Sequence, residues 1–153
     1  MMEAGIRRIQ DRAEIEQLMH LFAEMVDRRE WALMDRIFAL EATIDFTTGD
    51  GIAGPFREAL AWLDRALEPW PTNLHFISNL LIDFEGDDDA RSSCYFRSPI
   101  ARRNADGTQQ TVTTSGVYRD RLLRTSDGWR IVERVCEQLL MEGSLPEGYH
   151  IPA

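Results

Sequence analysis

The sequence predicts an α+β domain, because helical patterns occupy its first part and long strand-like runs occupy its second part. Turns rich in Gly, Asp and Asn separate the later runs, as in antiparallel hairpins. A length of 153 residues fits one domain with one hydrophobic core. We therefore expect a single domain over 1–153, with terminal extensions at 1–10 and 143–153.

Three segments of the first part have the apolar spacing of helices. The first runs from Asp11 to about Arg29, with Asp11 as a candidate N-cap and Glu14 completing a capping box. A second, short helix is expected over 31–38. The third begins at Gly54-Pro55, since proline is tolerated in a first helical turn, and ends at Glu68.

The strand-like segments come between and after these helices. They cover about Ala42 to Phe46, Leu74 to Glu85, Arg91 to Ala101, Gln109 to Arg124 and Trp129 to Leu140. Strands this long usually curl, and Gly116 is a candidate for a bend or bulge. The last stretch, from Gly143, is irregular and either frays or covers an opening.

The charge of the chain narrows the classes of partner. A formal net charge of -9 argues against nucleic acid and against an anionic membrane surface. All 17 basic residues are arginine, which excludes Schiff-base chemistry on a lysine and a P-loop. The sequence contains neither a long apolar run nor a signal-peptide pattern, so we expect a cytoplasmic protein.

The metal-binding residue types are scattered. Cys94 and Cys136 are far apart, and neither belongs to a C-x-x-C motif, so two buried thiols are favoured. The histidines, His20, His75 and His150, show no ligand spacing either. We expect no metal and no organic cofactor.

Asp27 and His75 are the candidate catalytic residues. Asp27 lies in the last turn of the first predicted helix, at the edge of its apolar stripe, where Arg28 or Arg29 could equally compensate it at the surface. His75 stands alone in the apolar run Leu74 to Leu81, on the face predicted to contain Ile77, Asn79 and Leu81. A carboxylate beside an imidazole holds one tautomer and leaves the other nitrogen free as a base. A satisfied core histidine is the competing interpretation.

Three local motifs are typical of a known family. They are Met25-Val26-Asp27-Arg28-Arg29-Glu30-Trp31 leading into Ile37-Phe38-Ala39, then Leu74-His75-Phe76-Ile77-Ser78-Asn79, and Asp127-Gly128-Trp129-Arg130-Ile131. Together they resemble the NTF2-like superfamily, specifically its SnoaL-like branch. The resemblance implies a cone, in which three N-terminal helices pack on a strongly curved mixed or antiparallel sheet that encloses an apolar cavity.

The resemblance also implies an activity. In relatives such as scytalone dehydratase and hexachlorocyclohexane dehydrochlorinase, an Asp and a His at the positions of Asp27 and His75 form an acid-base pair. We therefore expect a cofactor-independent lyase or isomerase acting on a small apolar or aromatic cyclic ligand. Val26 stands where those relatives often have tyrosine, and the later strands have no second histidine, which weakens a dehydratase of the scytalone type.

Other relatives imply an alternative without catalysis. These relatives are ligand-binding or assembly modules, such as the small subunits of ring-hydroxylating dioxygenases. A homodimer or homotrimer is expected by resemblance in either case. Tyr95, Tyr118 and Arg134 are the candidate substrate-binding residues, with Arg97 and Arg119 as further polar strand residues. Solvated arginines and core tyrosines are the competing interpretation for all five.

Overall fold

The computed structural model describes residues 2–152. Its helices are α1 (Met2–Arg28), a 3-10 helix (Trp31–Arg36) and α2 (Phe56–Leu67), with a shorter 3-10 turn at Thr47–Gly49. Its strands are β1 (Phe38–Asp45), β2 (Ala53–Pro55), β3 (Thr72–Asn73), β4 (Phe76–Phe84), β5 (Asp89–Arg103), β6 (Gln109–Thr125) and β7 (Gly128–Glu142). The predicted α+β class is confirmed, and the predicted second helix is of the 3-10 type.

All seven strands form one mixed sheet that curls into a half-barrel around the helices. Its order is β2-β1-β7-β6-β5-β3, and β4 pairs with the remaining length of β5. Strands β1 and β7 are parallel, whereas the hairpins β4-β5, β5-β6 and β6-β7 are antiparallel. Long hairpins that twist in one direction leave a concave face, which the helices cover.

Helix α1 begins at Met2, so the predicted start at Asp11 is wrong. Asp11 is only 3% exposed, and its Oδ1 accepts hydrogen bonds from Arg124 Nη2 at 2.6 Å and Trp129 Nε1 at 3.2 Å. Glu14 Oε1 accepts one from the Trp129 backbone N–H at 2.7 Å. The two carboxylates therefore join the middle of α1 to the β6-β7 hairpin instead of capping a helix.

The bend predicted at Gly116 is confirmed. The β6-β7 register shifts between Ser115 and Gly116. A Cβ atom on Gly116 would lie 1.9 Å from the backbone oxygen of Glu137, so only glycine fits this approach of two backbones.

A second irregularity lies in β4, where Asn79 has a φ of 55° and the β4-β5 register shifts between Ser78 and Leu81. The bulge reverses the alternation of side chains. Ile77 before it and Ile82 after it both pack against the core, whereas Leu81 is 67% exposed. The expectation that His75 shares its face with Asn79 and Leu81 is therefore wrong, because both residues come after the point where the register changes.

The core lies between α1, α2 and the concave face of the sheet. Phe22 of α1 makes edge-to-face contacts with Phe38 of β1 and Tyr118 of β6, and the Tyr118 ring stacks on Phe96 of β5 at 4.5 Å between centroids. Within residues 2–152, no helix has the length and apolar character required to cross a membrane.

Candidate functional site

His75 occupies a gap in the edge of the sheet. Strands β3 and β4 pair with successive parts of β5, and the two residues between them, Leu74 and His75, belong to neither strand. The Leu74 backbone N–H still donates to Pro99 O at 3.1 Å, so the edge continues through the gap. The backbone N–H of His75 donates instead to a side chain of α1.

That side chain is Asp27, 48 residues earlier in the sequence. The His75 backbone N–H donates to Asp27 Oδ2 at 3.0 Å, and His75 Nδ1 lies 2.7 Å from Asp27 Oδ1. A carboxylate accepts hydrogen bonds and does not donate them, so Nδ1 carries the proton and Nε2 has the free lone pair. The predicted contact between these two residues is present, and their catalytic role stays a prediction.

Arg29 holds the end of α1 near the histidine. It has a φ of 57°, which ends the helix, and its guanidinium donates to the backbone oxygens of Leu67 and Trp70. It also forms an ion pair with Asp64 of α2. Arg28 pairs with Glu24 at the surface. The arginines that could have compensated Asp27 therefore have other partners, and Asp27 faces His75.

A serine completes a row of three side chains. Ser98 of β5 has its Oγ 3.1 Å from His75 Nε2 and is 7% exposed. Because Nδ1 holds the ring proton, the Ser98 hydroxyl donates to Nε2. Sequence reasoning missed Ser98, although its alternation with Cys94 and Phe96 on one face of β5 is the signal that places it inside.

His75 and Ser98 line a cavity of about 260 Å³ between α2 and the concave face of the sheet. Most of its walls are apolar. They include Phe46, Trp62, Leu63, Ala66, Leu67, Trp70, Phe96, Ile100, Val112 and Met141, with Asp50, Thr114, Tyr118, Cys136 and Gln138 as the more polar members. Ligand pockets in proteins are commonly about 300–1,000 Å³, so this cavity suits a small guest.

The C-terminal segment covers one side of this cavity. Leu145, Tyr149 and Ile151 line it. The Tyr149 hydroxyl donates to Ala66 O at 3.1 Å, and Trp62 Nε1 donates to Pro152 O at 2.7 Å. Of the two outcomes expected for this segment, fraying or covering an opening, the structure has the second.

Of the three predicted substrate-binding residues, only Tyr118 lines the cavity. Burial raises the pKa of its phenol well above 10, so the hydroxyl stays protonated and can donate. The prediction for Tyr95 is wrong, because this side chain is 55% exposed on the opposite face of β5 from Phe96. Arg97 and Arg119 lie on that outer face too, each paired with a glutamate.

The prediction for Arg134 is also wrong, since it packs in the core and does not line the cavity. It is 1% exposed and donates from Nε and Nη2 to the two carboxylate oxygens of Asp120, both at 2.7 Å. Its guanidinium contacts the rings of Phe22 and Tyr118, at 4.3 and 4.4 Å from their centroids. Burial opposes the charge, but Asp120 outweighs it and raises the pKa of Arg134.

The thiols offer no nucleophile at neutral pH. Burial raises the pKa of Cys94 to about 11 and that of Cys136 to about 12, and both are free cysteines. In the part of the chain that the structure describes, no three His, Cys, Asp or Glu side chains cluster as metal ligands would.

The fold and the cavity agree with a comparison to known families. The family described as SnoaL-like domain matches residues 7–135, and the chain belongs to this NTF2-like family. The uncharacterized protein Rv2910c of Mycobacterium tuberculosis is 33% identical over 142 residues, which are 90% of this chain and 93% of that protein.

Solved structures share the fold at lower identity. The Kfla4162 protein of Kribbella flavida has a TM-score of 0.78 at 25% identity, covering 88% of this chain and 95% of its own. A putative scytalone dehydratase of Novosphingobium aromaticivorans has a TM-score of 0.78 at 15% identity, covering 97% of this chain and 94% of its own. The hexachlorocyclohexane dehydrochlorinase LinA-type3 of Novosphingobium barchaimii has a TM-score of 0.75 at 18% identity, covering 97% of this chain and 99% of its own.

Proposed function

We propose that this protein is a cofactor-independent lyase or isomerase that acts on a small, mostly apolar cyclic ligand. The observation that carries the proposal is the position of the Asp27–His75 pair: a base with a fixed tautomer lies in the wall of a mostly apolar cavity. Fold neighbours named as a putative scytalone dehydratase and a dehydrochlorinase support the same class.

The chemistry requires only side chains. When the ligand binds, the Ser98 hydroxyl turns away from His75 Nε2. Nε2 then takes a proton from a carbon of the ligand, and Asp27 stabilises the imidazolium that forms. In a lyase the electrons left on carbon expel a leaving group, whereas in an isomerase His75 returns the proton to another carbon. General base catalysis of this kind contributes about 10²- to 10⁴-fold to a rate.

The apolar walls select the ligand. Because the cavity is lined mainly by aromatic and aliphatic side chains and its acidic lining residue is Asp50, an anionic guest would lose its hydration without replacement. A ring that fills the cavity can place one C–H bond at Nε2 and one oxygen or halogen near the Tyr118 hydroxyl. That hydroxyl makes no hydrogen bond to the other described residues, so it is available to a ligand.

A second candidate function is a noncatalytic binding or assembly module, such as a dioxygenase small subunit. The observation that favours it is a set of exposed apolar side chains, which includes Leu81, Tyr95, Leu139 and Leu140. Where such side chains form one contiguous patch, they mark an association site. The homodimer or homotrimer expected by resemblance would bury such side chains, and light scattering after size exclusion measures the mass.

The test follows carbon-bound protons in D₂O by NMR, with cyclohexanone, 2-tetralone and a hexachlorocyclohexane as probes. Wild-type protein should accelerate exchange or elimination, His75→Ala should abolish the acceleration, and Asp27→Asn should reduce it by about 10²- to 10⁴-fold. His20→Ala, at an exposed histidine of α1, is the matched control and should behave as wild type. If a probe occupies the cavity yet His75→Ala reacts as fast as wild type, the proposed lyase or isomerase activity is refuted. The noncatalytic binding or assembly module is then the function that remains.

A further inference from the structure

The Ser98, His75 and Asp27 side chains form a continuous hydrogen-bonded row. Ser98 Oγ lies 3.1 Å from His75 Nε2, and His75 Nδ1 lies 2.7 Å from Asp27 Oδ1. Proton abstraction from carbon requires only His75 and Asp27. A hydroxyl within about 2.6–3.2 Å of a base that a third group orients is the general signature of an activated nucleophile.

We propose that Ser98 is such a nucleophile and that this protein also hydrolyses small esters whose acyl and alcohol parts are apolar. Phenyl esters of short carboxylic acids are the substrate class that the cavity fits, since its volume is about 260 Å³ and its walls are mostly apolar. This inference uses the same His75 as the proposed lyase or isomerase activity, but it does not depend on that activity.

The surroundings of Ser98 favour a reactive hydroxyl over a solvated one. The residue is 7% exposed, and its side chain lines the cavity together with Tyr118 and Trp70. The Trp70 indole N–H is buried with no partner among residues 2–152. Burial also raises the pKa of the Tyr118 hydroxyl, so it stays a donor. An ester oxygen that becomes negative during attack needs such donors, because they are worth more in a site without water.

The reaction balances without a cofactor. Ser98 Oγ attacks the ester carbonyl carbon while its proton passes to His75 Nε2, and Asp27 stabilises the imidazolium. The tetrahedral intermediate then breaks the bond to the phenol oxygen, which leaves with the proton from Nε2. Water attacks the acyl-serine, gives a proton to Nε2, and the carboxylic acid departs as Ser98 regains its proton.

The test uses the full-length chain with two probes, 4-nitrophenyl acetate and phenylmethanesulfonyl fluoride. We expect a burst of one 4-nitrophenolate per chain, and one sulfonyl group per chain on the peptide that contains Ser98. Ser98→Ala and His75→Ala should lose both signals, and Asp27→Asn should slow labelling by about 10²- to 10⁴-fold, as for loss of an oriented base.

Ser92→Ala is the matched control. Ser92 lies on the same strand and the same inward side as Ser98, is 6% exposed, and does not line the cavity. The Ser92→Ala variant should be labelled on Ser98 and should release 4-nitrophenolate as the wild type does. Wild-type protein that stays unlabelled, or that is labelled on His75 or on another serine, overturns the inference.

Failure of this inference can be told apart from failure of the proposed function. An unlabelled Ser98 together with His75-dependent exchange of carbon-bound protons in D₂O would remove the nucleophile and retain the lyase or isomerase. A labelled Ser98 without any such exchange would retain the nucleophile alone.

Discussion

Replacement of Asp27 by asparagine tests the tautomer on which the proposed chemistry depends. In the wild type, one carboxylate oxygen accepts from His75 Nδ1–H and the other accepts from the His75 backbone N–H. Asparagine keeps one acceptor oxygen and replaces the other with an NH₂ group, which cannot accept from Nδ1–H. If the amide oxygen stays with the backbone N–H, the NH₂ group donates to Nδ1, and the ring proton moves to Nε2.

The effect of a substitution at Asp27 on the free energy of unfolding follows from the hydrogen bonds that it changes. A hydrogen bond to a charged group contributes about 1.5–3 kcal/mol, and the carboxylate of Asp27 is 19% exposed, so water replaces part of it. We expect Asp27→Asn to lower the free energy of unfolding by about 1–2 kcal/mol, since both hydrogen bonds can form but neither has a charged partner. Asp27→Ala removes both bonds and should lower it by about 3 kcal/mol.

Long-range ¹H–¹⁵N correlation spectra report which nitrogen of a neutral histidine carries the proton, and His75→Gln assigns the signal. The proton should lie on Nδ1 in the wild type and on Nε2 in Asp27→Asn. Glu24→Gln, one turn earlier on the exposed side of α1, is the control and should leave the tautomer unchanged. A wild-type spectrum with the proton on Nε2 would refute the reasoning, because Nε2 could then not act as the base.

Three further predictions concern stability. Asp120→Asn leaves the guanidinium of Arg134 charged and buried without its carboxylate, so urea denaturation should show a loss of about 3–5 kcal/mol. Burial alone would raise the pKa of Asp11, but hydrogen bonds from its arginine and tryptophan partners lower it below 3.8 in the folded protein. Its charge therefore stabilises the fold above the unfolded pKa of about 3.9, and this contribution is lost as pH falls through the folded pKa. The stability difference between wild type and Asp11→Asn should be largest near pH 7 and should shrink as the pH falls through the folded pKa of Asp11; a difference that does not change between pH 7 and pH 2 contradicts the assignment. Gly116→Ala should lower the melting temperature through a loss of at least about 1–3 kcal/mol, whereas Gly5→Ala, at a helical site with open space, should gain about 0.5–1 kcal/mol; equal shifts would contradict the steric argument.

Local patterns were enough to predict most of the fold. The hairpin turns, the order of helices before strands and the bend at Gly116 depend on residues near each other in sequence. The start of α1 did not follow from local pattern, because Asp11 reads as an N-cap until its tertiary partners on β6 and β7 are known. A carboxylate that binds across the sheet has the same sequence signature as one that caps a helix.

The site was predicted less completely for related reasons. The contact between Asp27 and His75 followed from the family resemblance, since nothing in the spacing of the two residues predicts it. Ser98 was missed because its distance to His75 depends on the register between β5 and the broken edge strand. Arg134 was misplaced because Asp120, directly opposite on β6, holds it in the core.

One side of the cavity is built from a segment that is neither helix nor strand. Leu145, Tyr149 and Ile151 reach the ligand space from it, while the sheet ends at Glu142. No strand pairing depends on these side chains, so exchanging this segment between related proteins can change the accepted guest without rebuilding the scaffold.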